Sequence, residues 1–233
     1  MTRAVNEQLN YAAPTSIAIR MSTRVREAMF HMFMDEFHPS EQDSVLDVGV
    51  TSDQTYENSN YFEGLYPYKS QIIAAGLQDA AFLERLYPGI RYIEANALDL
   101  PFGDASFDFV HSSAVLEHVG SFENQARMIA ECVRVARRGV CLTTPNRWFP
   151  IEFHTQLPLV HWMPKSMCRY IFRILGFEEL SCEKNLNLMT RREILAIIGR
   201  LPHWTFRVTS PRLFGWKSNL ILFGHAPSPK SVP

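Results

Sequence analysis

Short apolar strands alternate with helical segments between residues 44 and 143, and this alternation constrains the fold more than any other feature of the sequence. Helical spacing of apolar residues marks 80–86 and 124–137. Strands that alternate with helices require right-handed crossovers, and hence a mainly parallel sheet that is covered on both faces. The sequence therefore predicts a doubly wound α/β fold. Its predicted strands are 44–49, 71–75, 91–95, 107–111 and 139–143.

Segments outside this alternation complete the predicted architecture. A helix over 22–37 lies in an N-terminal helical cap, residues 1–43, and Thr190 with Glu193 has the capping-box spacing that opens a later helix. Two further strands, 205–208 and 219–223, are joined by a connection too short for a crossover helix. We therefore predict a seven-stranded, mainly parallel sheet with a C-terminal antiparallel hairpin. Residues 226–233 contain three prolines and are expected to form a frayed tail.

Length and charge indicate one ordinary domain. The 233 residues carry a formal net charge of −1, which suits a single domain over 1–233 and gives no general field that attracts nucleic acid. No apolar run of membrane-spanning length occurs, and 1–21 lacks the apolar core of a signal peptide, so we expect a cytoplasmic protein. The four cysteines have no C-x-x-C spacing and are expected to be free thiols.

Residues 147–188 interrupt the alternation with many aromatic residues and prolines, and we interpret them as a lid insertion. Within 157–177, Lys165, Arg169 and Arg173 recur every four residues, which predicts a basic amphipathic helix. Two alternatives remain open. The helix either packs over a substrate pocket with its charges in water, or it lies at a membrane interface as a peripheral contact that reaches a lipid-linked acceptor.

Four motifs carry a resemblance to a known family. They are Val45-Leu-Asp-Val-Gly49, Asn96-Ala-Leu-Asp-Leu-Pro-Phe102, Ser106-Phe-Asp108 and Val115-Leu-Glu-His118. In this order and at these intervals they resemble the class I S-adenosylmethionine-dependent methyltransferases, which have a Rossmann-like fold, and most closely the small-molecule group called type 11. The resemblance extends over 44–146. It implies an enzyme that transfers a methyl group from S-adenosylmethionine to an acceptor.

The resemblance also implies where the cofactor binds. Ligands of open parallel sheets lie outside the carboxyl ends of the strands, here beside the first strand. Asp47 would support the glycine loop, Gly49 would let the backbone approach the ligand, and Asn96 would bond the adenine amine. A buried structural acid at 47 and a turn residue at 96 remain the alternatives. The expected cofactor-binding residues are Asp47, Gly49, Val50, Thr51, Gly76, Leu77, Gln78, Asn96, Ala97, Leu98 and Ser112.

Two departures from the family pattern bear on cofactor affinity. Thr51 and Asp53 stand where the usual loop has its second and third glycines, so the loop is expected to take another path. Gly76 stands where an acid normally accepts the ribose hydroxyls, and Gln78, Asp79 or Asp53 are candidate substitutes. The alternative function is a cofactor-poor, methyltransferase-like scaffold that acts as a binding or regulatory subunit.

Methyl transfer from a sulfonium depends mainly on proximity and desolvation. A hydroxyl acceptor also benefits from a general base, for which histidine is suited. His118 and His154 are the candidate catalytic residues, with His111 a further possibility and a structural role the alternative for each. Glu152 and His154 alone make too few ligands for a metal, so no metal site is expected. The predicted reaction is O-methylation of a small-molecule or lipid-linked acceptor.

Overall fold

The computed structural model describes residues 16–56 and 58–227, and within them one seven-stranded sheet organises the chain. A separate two-stranded sheet lies in the connection between the last two strands of the large sheet. The strands are β1 (Val45–Val48), β2 (Ile72–Gly76), β3 (Arg91–Glu94), β4 (Phe107–Ser113), β5 (Ala136–Pro145), β6 (Thr205–Thr209), β7 (Arg212–Leu213), β8 (Trp216–Lys217) and β9 (Asn219–His225). The helices of four or more residues are α1 (Ile17–Phe37), α2 (Tyr61–Leu65), α3 (Phe82–Leu86), α4 (Phe122–Val135), α5 (Lys165–Ile174) and α6 (Arg191–Ile198).

The order of the large sheet is β3-β2-β1-β4-β5-β9-β6. The first five strands are parallel, whereas β9 pairs antiparallel with both β5 and β6. Since β1 is central and the chain leaves it toward both sides, the crevice beside its carboxyl end is the switch point at which α/β folds bind ligands. The predicted doubly wound, mainly parallel sheet and the antiparallel pairing of the last two long strands are confirmed.

The start of α1 and the end of α4 are among the helix boundaries that differ from the predictions. Helix α1 begins at Ile17, where the Ser16 side chain accepts a hydrogen bond from the Ile19 amide, so the helix starts before residue 22. Helix α4 ends at Val135, and the predicted extension to residue 137 is wrong. Ala136 already pairs with Phe107 in the sheet. The next two side chains, Arg137 and Arg138, form ion pairs with acids at the start of β4 and before β1, which hold this segment extended.

Apolar residues cover both faces of the sheet. One cluster joins α1 and α2 to the sheet through residues such as Phe33, Phe62 and Phe109. The other joins α4 and α6 through residues such as Met128 and Ile194. Burial on both faces explains why a central strand such as β2 is continuously apolar rather than alternating.

The two ends of the chain are described only in part. Residues 1–15 of the expected helical cap and residues 228–233 of the expected tail lie outside the described residues. The tail does not fray from its first residue, because the Ala226 amide donates to the Arg138 carbonyl oxygen at 3.0 Å. In the described parts of the chain, every helix is too short or too polar to cross a membrane.

Candidate active site

A cavity of about 580 Å³ lies at the carboxyl ends of β1, β2 and β4. Helix α1 closes one side of it with residues that include Ser22 and Met29, and its volume is in the range of small-molecule sites. Ten residues that the sequence singled out line it, namely Gly49, Thr51, Gly76, Leu77, Gln78, Asn96, Ala97, Leu98, His118 and His154. The switch point of the sheet therefore holds the largest part of the predicted site.

Two glycines give this cavity its floor. Gly49 has a φ of +98°, and a β-carbon there would lie 2.1 Å from Val115 Cγ2. At Gly76 the corresponding β-carbon would lie 2.5 Å from the carbonyl oxygen of Val50. Val50 itself is buried and does not line the cavity, so it acts by filling the space beside Gly76. Both glycines are required by close packing of the backbone at the ends of β1 and β2.

Asp47 and Ser112 lie beneath the cavity rather than in its wall. The Asp47 carboxylate is 2.6 Å from Nδ1 of His111, and both side chains are buried. Burial raises the pKa of Asp47 to about 7 and lowers the pKa of His111 to about 3. The Ser112 hydroxyl donates to the Val48 carbonyl oxygen at 2.7 Å. His111 therefore does not reach the acceptor region, and Asp47 and Ser112 act on the cavity only through β1.

The loop after Gly49 takes the alternative path that its side chains require. Two 3.0 Å hydrogen bonds join Asn60 to Thr51. The Thr51 backbone amide donates to Oδ1 of Asn60, and Nδ2 of Asn60 donates to the Thr51 carbonyl oxygen. The Asp53 amide donates to the Thr51 hydroxyl, and Asp53 in turn accepts from the Thr55 amide. Neither Thr51 nor Asp53 has a positive φ. Side-chain bonds thus replace the missing glycines in shaping this loop.

Gln78 is the one candidate substitute for the missing ribose acid that lines the cavity. Its Oε1 accepts a hydrogen bond from the Ser52 hydroxyl at 3.0 Å. Asp79 instead accepts from the Ala81 amide at the start of α3, and the carboxylate of Asp53 accepts within its own loop. The uncharged amide of Gln78 is therefore the candidate nearest to the place where the resemblance predicts a carboxylate.

Asn96 lies in the cavity wall and also shapes a turn. Its side-chain oxygen accepts from the Leu98 amide at 2.9 Å, and its carbonyl oxygen accepts from the Asp99 amide at 2.9 Å. This is an Asx turn, so Asn96 has the role of a turn residue, which the sequence had left open as the alternative. The turn sets the backbone of Ala97 and Leu98 against the cavity.

The two candidate histidines meet at the opposite end of the cavity. Their Nε2 atoms are 3.1 Å apart. Nδ1 of His118 donates to the Asn185 carbonyl oxygen at 2.6 Å, and Nδ1 of His154 lies 2.7 Å from Oε1 of Glu152. Glu152 is further fixed by the amide and hydroxyl of Thr155. Each ring thus has one nitrogen anchored in the protein and the other directed at its partner.

Charges near these histidines shift their proton affinities. Burial alone would lower the pKa of His154, but the charge and hydrogen bond of Glu152 outweigh it and raise that pKa. Burial alone would raise the pKa of Glu152, but the charge of His154 and the bonds from its ring and from Thr155 lower it to about 2. Burial and the charge of His154 both lower the pKa of His118. The Glu152–His154 pair is therefore an ion pair, and His118 is neutral beside it.

Glu117 and Arg26 are charged residues of the cavity wall that the sequence had not singled out. Glu117 is fully buried, with one carboxylate oxygen accepting from the Thr144 hydroxyl at 2.8 Å. Arg26 of α1 donates to the carbonyl oxygen of Asn58 and lies over the ring of Tyr61. Glu117 belongs to the quoted Leu-Glu-His motif, so its position was visible. No sequence signal pointed to Arg26, because the residue pattern of an amphipathic helix does not show which of its residues border a cavity.

Part of the 147–188 insertion lines the cavity, but its helix α5 does not. Phe153, His154, Lys184 and Asn185 line the cavity, but no residue of α5 does. Helix α5 instead packs on a small apolar cluster through Cys168 and Phe172. Residues 153–154 and 184–185 of the insertion therefore border the cavity, whereas α5 does not.

Two of the three predicted basic residues of α5 are paired with acids of the protein. Lys165 forms an ion pair with Glu193, and Arg169 forms one with Glu183. These pairs turn two of the three cations toward the protein, because the acids lie on the neighbouring segment and at α6. The exposed face is mainly apolar, with Met167, Tyr170 and Ile174 exposed by 50%, 64% and 63%.

Comparison with known proteins agrees with this geometry. Residues 46–143 match the family model described as a methyltransferase domain, which is less than half of the chain. A probable S-adenosylmethionine-dependent methyltransferase of Mycobacterium tuberculosis is 37% identical over 81 residues, 33% of this chain and 28% of that protein. A protein of the same description from Mycolicibacterium smegmatis is 38% identical over 69 residues, 29% of this chain and 26% of that protein. The match thus spans little more than a quarter of these curated relatives.

Solved structures show the same fold over most of the chain. A Burkholderia thailandensis 1,6-didemethyltoxoflavin N1-methyltransferase with bound S-adenosylhomocysteine has a TM-score of 0.58 and 14% identity, covering 90% of this chain and 81% of that one. The magnesium protoporphyrin IX methyltransferase of Synechocystis, also with S-adenosylhomocysteine, has a TM-score of 0.55 and 13% identity, covering 90% and 85%.

Sheet order and switch-point cavity agree with the fold of the class I S-adenosylmethionine-dependent methyltransferases, to which these solved structures belong. Residues 46–143 match the methyltransferase-domain family model that the sequence motifs indicated. The resemblance stated from the motifs is thus confirmed.

Proposed function

We propose that this chain transfers a methyl group from S-adenosylmethionine to an acceptor that enters beside His118 and His154. The observation that carries the proposal is the single continuous cavity, which joins the Gly49–Gly76–Asn96 end to the two histidines. A cofactor at the glycine end brings its sulfonium toward the acceptor end, and proximity with desolvation then supplies much of the rate.

Each part of the cavity has a proposed task. Gly49 and Gly76 admit the cofactor close to the backbone, and Ala97 and Leu98 flank its adenine while Asn96 bonds the adenine amine. Thr51 and Leu77 complete the rim of that half, while Val50 and Ser112 support it from beneath. Gln78 bonds the ribose through its amide. Asp47 acts as a positioning residue through β1, because its carboxylate bonds His111 and not the cavity.

We propose oxygen as the acceptor atom. A hydroxyl must lose its proton as it is methylated, and a pair of histidines at the acceptor end is suited to that demand. Glu152 and the Asn185 carbonyl fix the two rings, so the nitrogens that face each other keep a defined orientation.

Titration calorimetry with S-adenosylmethionine and S-adenosylhomocysteine tests the cofactor assignment. One site per chain with micromolar affinity supports the enzyme. No heat at millimolar ligand would contradict it and would favour the alternative function, a methyltransferase-like scaffold that acts as a binding or regulatory subunit. The neutral Gln78 predicts an affinity about 10- to 100-fold weaker than a site with a ribose carboxylate, because hydrogen bonds to charged groups contribute about 1.5–3 kcal/mol.

We also propose that residues 157–177 contact a membrane surface, which would give access to a lipid-linked acceptor. The support is the exposed apolar face of α5 rather than its basic residues, of which two are paired within the protein. Trp148, Trp162 and Trp216 lie next to one another near the start of this segment, with ring centroids 6.2 Å apart in each neighbouring pair. Aromatic side chains beside an apolar helix face suit the interface of a bilayer.

A further inference from the structure

Three potential metal ligands meet at the acceptor end of the cavity. One ligand atom from each of Glu117, His118 and His154 lies within 4.8 Å of the others. The two imidazole Nε2 atoms are 3.1 Å apart, and Oε1 of Glu117 is 4.0 Å from Nε2 of His118. Two imidazole ligands of a tetrahedral zinc ion lie about 3.3 Å apart, so the histidines are already near ligand spacing.

The surroundings of both histidines are those of metal ligands. A ligating imidazole usually directs its other nitrogen at a carboxylate or a backbone carbonyl, which fixes ring orientation. Here Nδ1 of His154 bonds Glu152 and Nδ1 of His118 bonds the carbonyl oxygen of Asn185. With both Nδ1 atoms engaged in this way, the two Nε2 atoms are the ring nitrogens that remain to bind an ion.

Glu117 supplies an independent observation. Its side chain is fully buried, and Oε1 has no hydrogen-bond partner among the described residues. Within ion-pair distance, the described residues offer this carboxylate only the neutral ring of His118, at 4.0 Å. A buried carboxylate oxygen without a hydrogen-bond donor is costly, and a metal ion would offset that cost.

We propose that Glu117, His118 and His154 bind a divalent transition-metal ion of the zinc type, with an open coordination position toward the cavity. Two imidazoles and one carboxylate are a donor set that catalytic zinc sites use. This inference rests on the proposed function and deepens it, since the ion would bind the oxygen of the acceptor. No metal was expected from the sequence, because Glu152 and His154 alone make too few ligands and Glu117 had not been considered as a third.

The ion would change how the acceptor loses its proton. A hydroxyl bound to a divalent ion releases its proton to solvent more readily than a free one. Its oxygen then forms a bond to the methyl carbon as the carbon–sulfur bond breaks, and sulfur keeps the electron pair. The products are the methyl ether and S-adenosylhomocysteine. His118 and His154 would thus act as ligands rather than as free bases.

Cobalt(II) titration of the tag-free, chelator-treated full chain tests the site. We expect one equivalent of Co²⁺ to give the visible absorption of a low-coordinate cobalt site, and Zn²⁺ to displace it. Glu117→Gln and His154→Gln should each weaken binding at least about tenfold, and Glu152→Gln about 10- to 100-fold. His203→Gln, which alters an exposed histidine outside the cavity, is the matched control and should bind as the wild type does.

Absence of stoichiometric cobalt binding by the wild-type chain would overturn the proposal. So would equal affinity in the wild type and in folded Glu117→Gln and His154→Gln variants. Titration of the same metal-free protein with S-adenosylhomocysteine separates a failure of the metal site from a failure of the proposed methyltransferase function. Cofactor binding without cobalt binding removes the metal site alone, whereas cobalt binding without cofactor binding contradicts the proposed methyltransferase.

Discussion

The carbonyl oxygen of Val50 occupies the space that a β-carbon at Gly76 would need, at a distance of 2.5 Å. This relationship explains why the residue at the end of β2 is a glycine in a chain that resembles enzymes with an acid there. The loop after β1 runs close over the end of β2, since the amides of Gly49 and Val50 both donate to the Ala75 carbonyl oxygen. The glycine at position 76, where an acid would be expected, and the altered path of the loop after β1 are thus parts of one structural feature.

Restoring the acid should therefore fail. Gly76→Asp is expected to destabilise the fold by about 1–3 kcal/mol, as overpacking of a tight site does, and to weaken cofactor binding rather than strengthen it. Chemical denaturation and calorimetry measure both effects. Gly103→Ala is the matched control, because its β-carbon would meet only Ser106 Oγ at an ordinary 3.5 Å. Tighter cofactor binding by Gly76→Asp would contradict this explanation.

Gly49 combines a positive φ with a close neighbour, so Gly49→Ala should cost more than the backbone strain alone. Gly215 separates the two effects, because its φ is +83° and a β-carbon there would meet nothing within 4 Å. We expect Gly215→Ala to lower the free energy of unfolding by about 1 kcal/mol and Gly49→Ala by at least about twice that. Equal losses in urea denaturation would show that the contact with Val115 is unimportant.

Glu63 predicts a pH dependence of stability. Its side chain is fully buried, and burial, with the charge of Asp47, raises the pKa of Glu63 well above 4.5. The folded chain thus keeps a proton that the unfolded chain releases. This stabilisation is complete below the unfolded pKa and is lost as pH rises toward the folded one.

Glu63→Gln has no such proton to lose. Relative to the wild type, its free energy of unfolding should increase from about pH 5 to about pH 8. Urea denaturation across this range measures the difference, with the exposed Glu27→Gln of α1 as control. A difference between wild type and Glu63→Gln that does not change with pH would refute the raised pKa.

Membrane contact through α5 is testable by flotation with lipid vesicles. If the apolar face is responsible, the protein should bind neutral vesicles nearly as well as anionic ones, since two of three cations on α5 are paired internally. A variant with Met167→Gln, Tyr170→Gln and Ile174→Gln should lose most of the binding. Substitution of the exposed Leu86 and Leu195 by glutamine, on α3 and α6, is the control. Failure of the wild type to float would remove the membrane proposal.

The sequence predicted the sheet well because parallel strands that are buried on both faces form unbroken apolar runs, such as Ile72–Gly76. It also located most of the cofactor half of the cavity, because Gly49, Asn96 and their neighbours lie directly after strands. It did not predict how charges are paired. Spacing placed Lys165 and Arg169 on one helix face, but their partners Glu193 and Glu183 come from segments whose position only the tertiary fold sets.

The acceptor end shows the same limit. His118 and His154 were both candidates, yet nothing in the sequence showed that their rings meet, since 36 residues separate them. The contact arises because the backbone of 185–187 lies along the turn after β4. Asn187 donates to the Glu117 carbonyl oxygen at 2.7 Å, and Gln125 of α4 joins the carbonyl oxygens of Leu116 and Asn187. Such bonds between distant segments have no signature in local spacing.

A crystal structure of the full chain grown with S-adenosylhomocysteine tests the central claim most directly. The account predicts nucleoside density against Ala97 and Leu98, ribose beside Gln78, and the sulfur directed toward His118 and His154. A cavity that is closed over Gly49 by the side chain of Thr51 or Asp53, with no ligand density at saturating concentration, would contradict it.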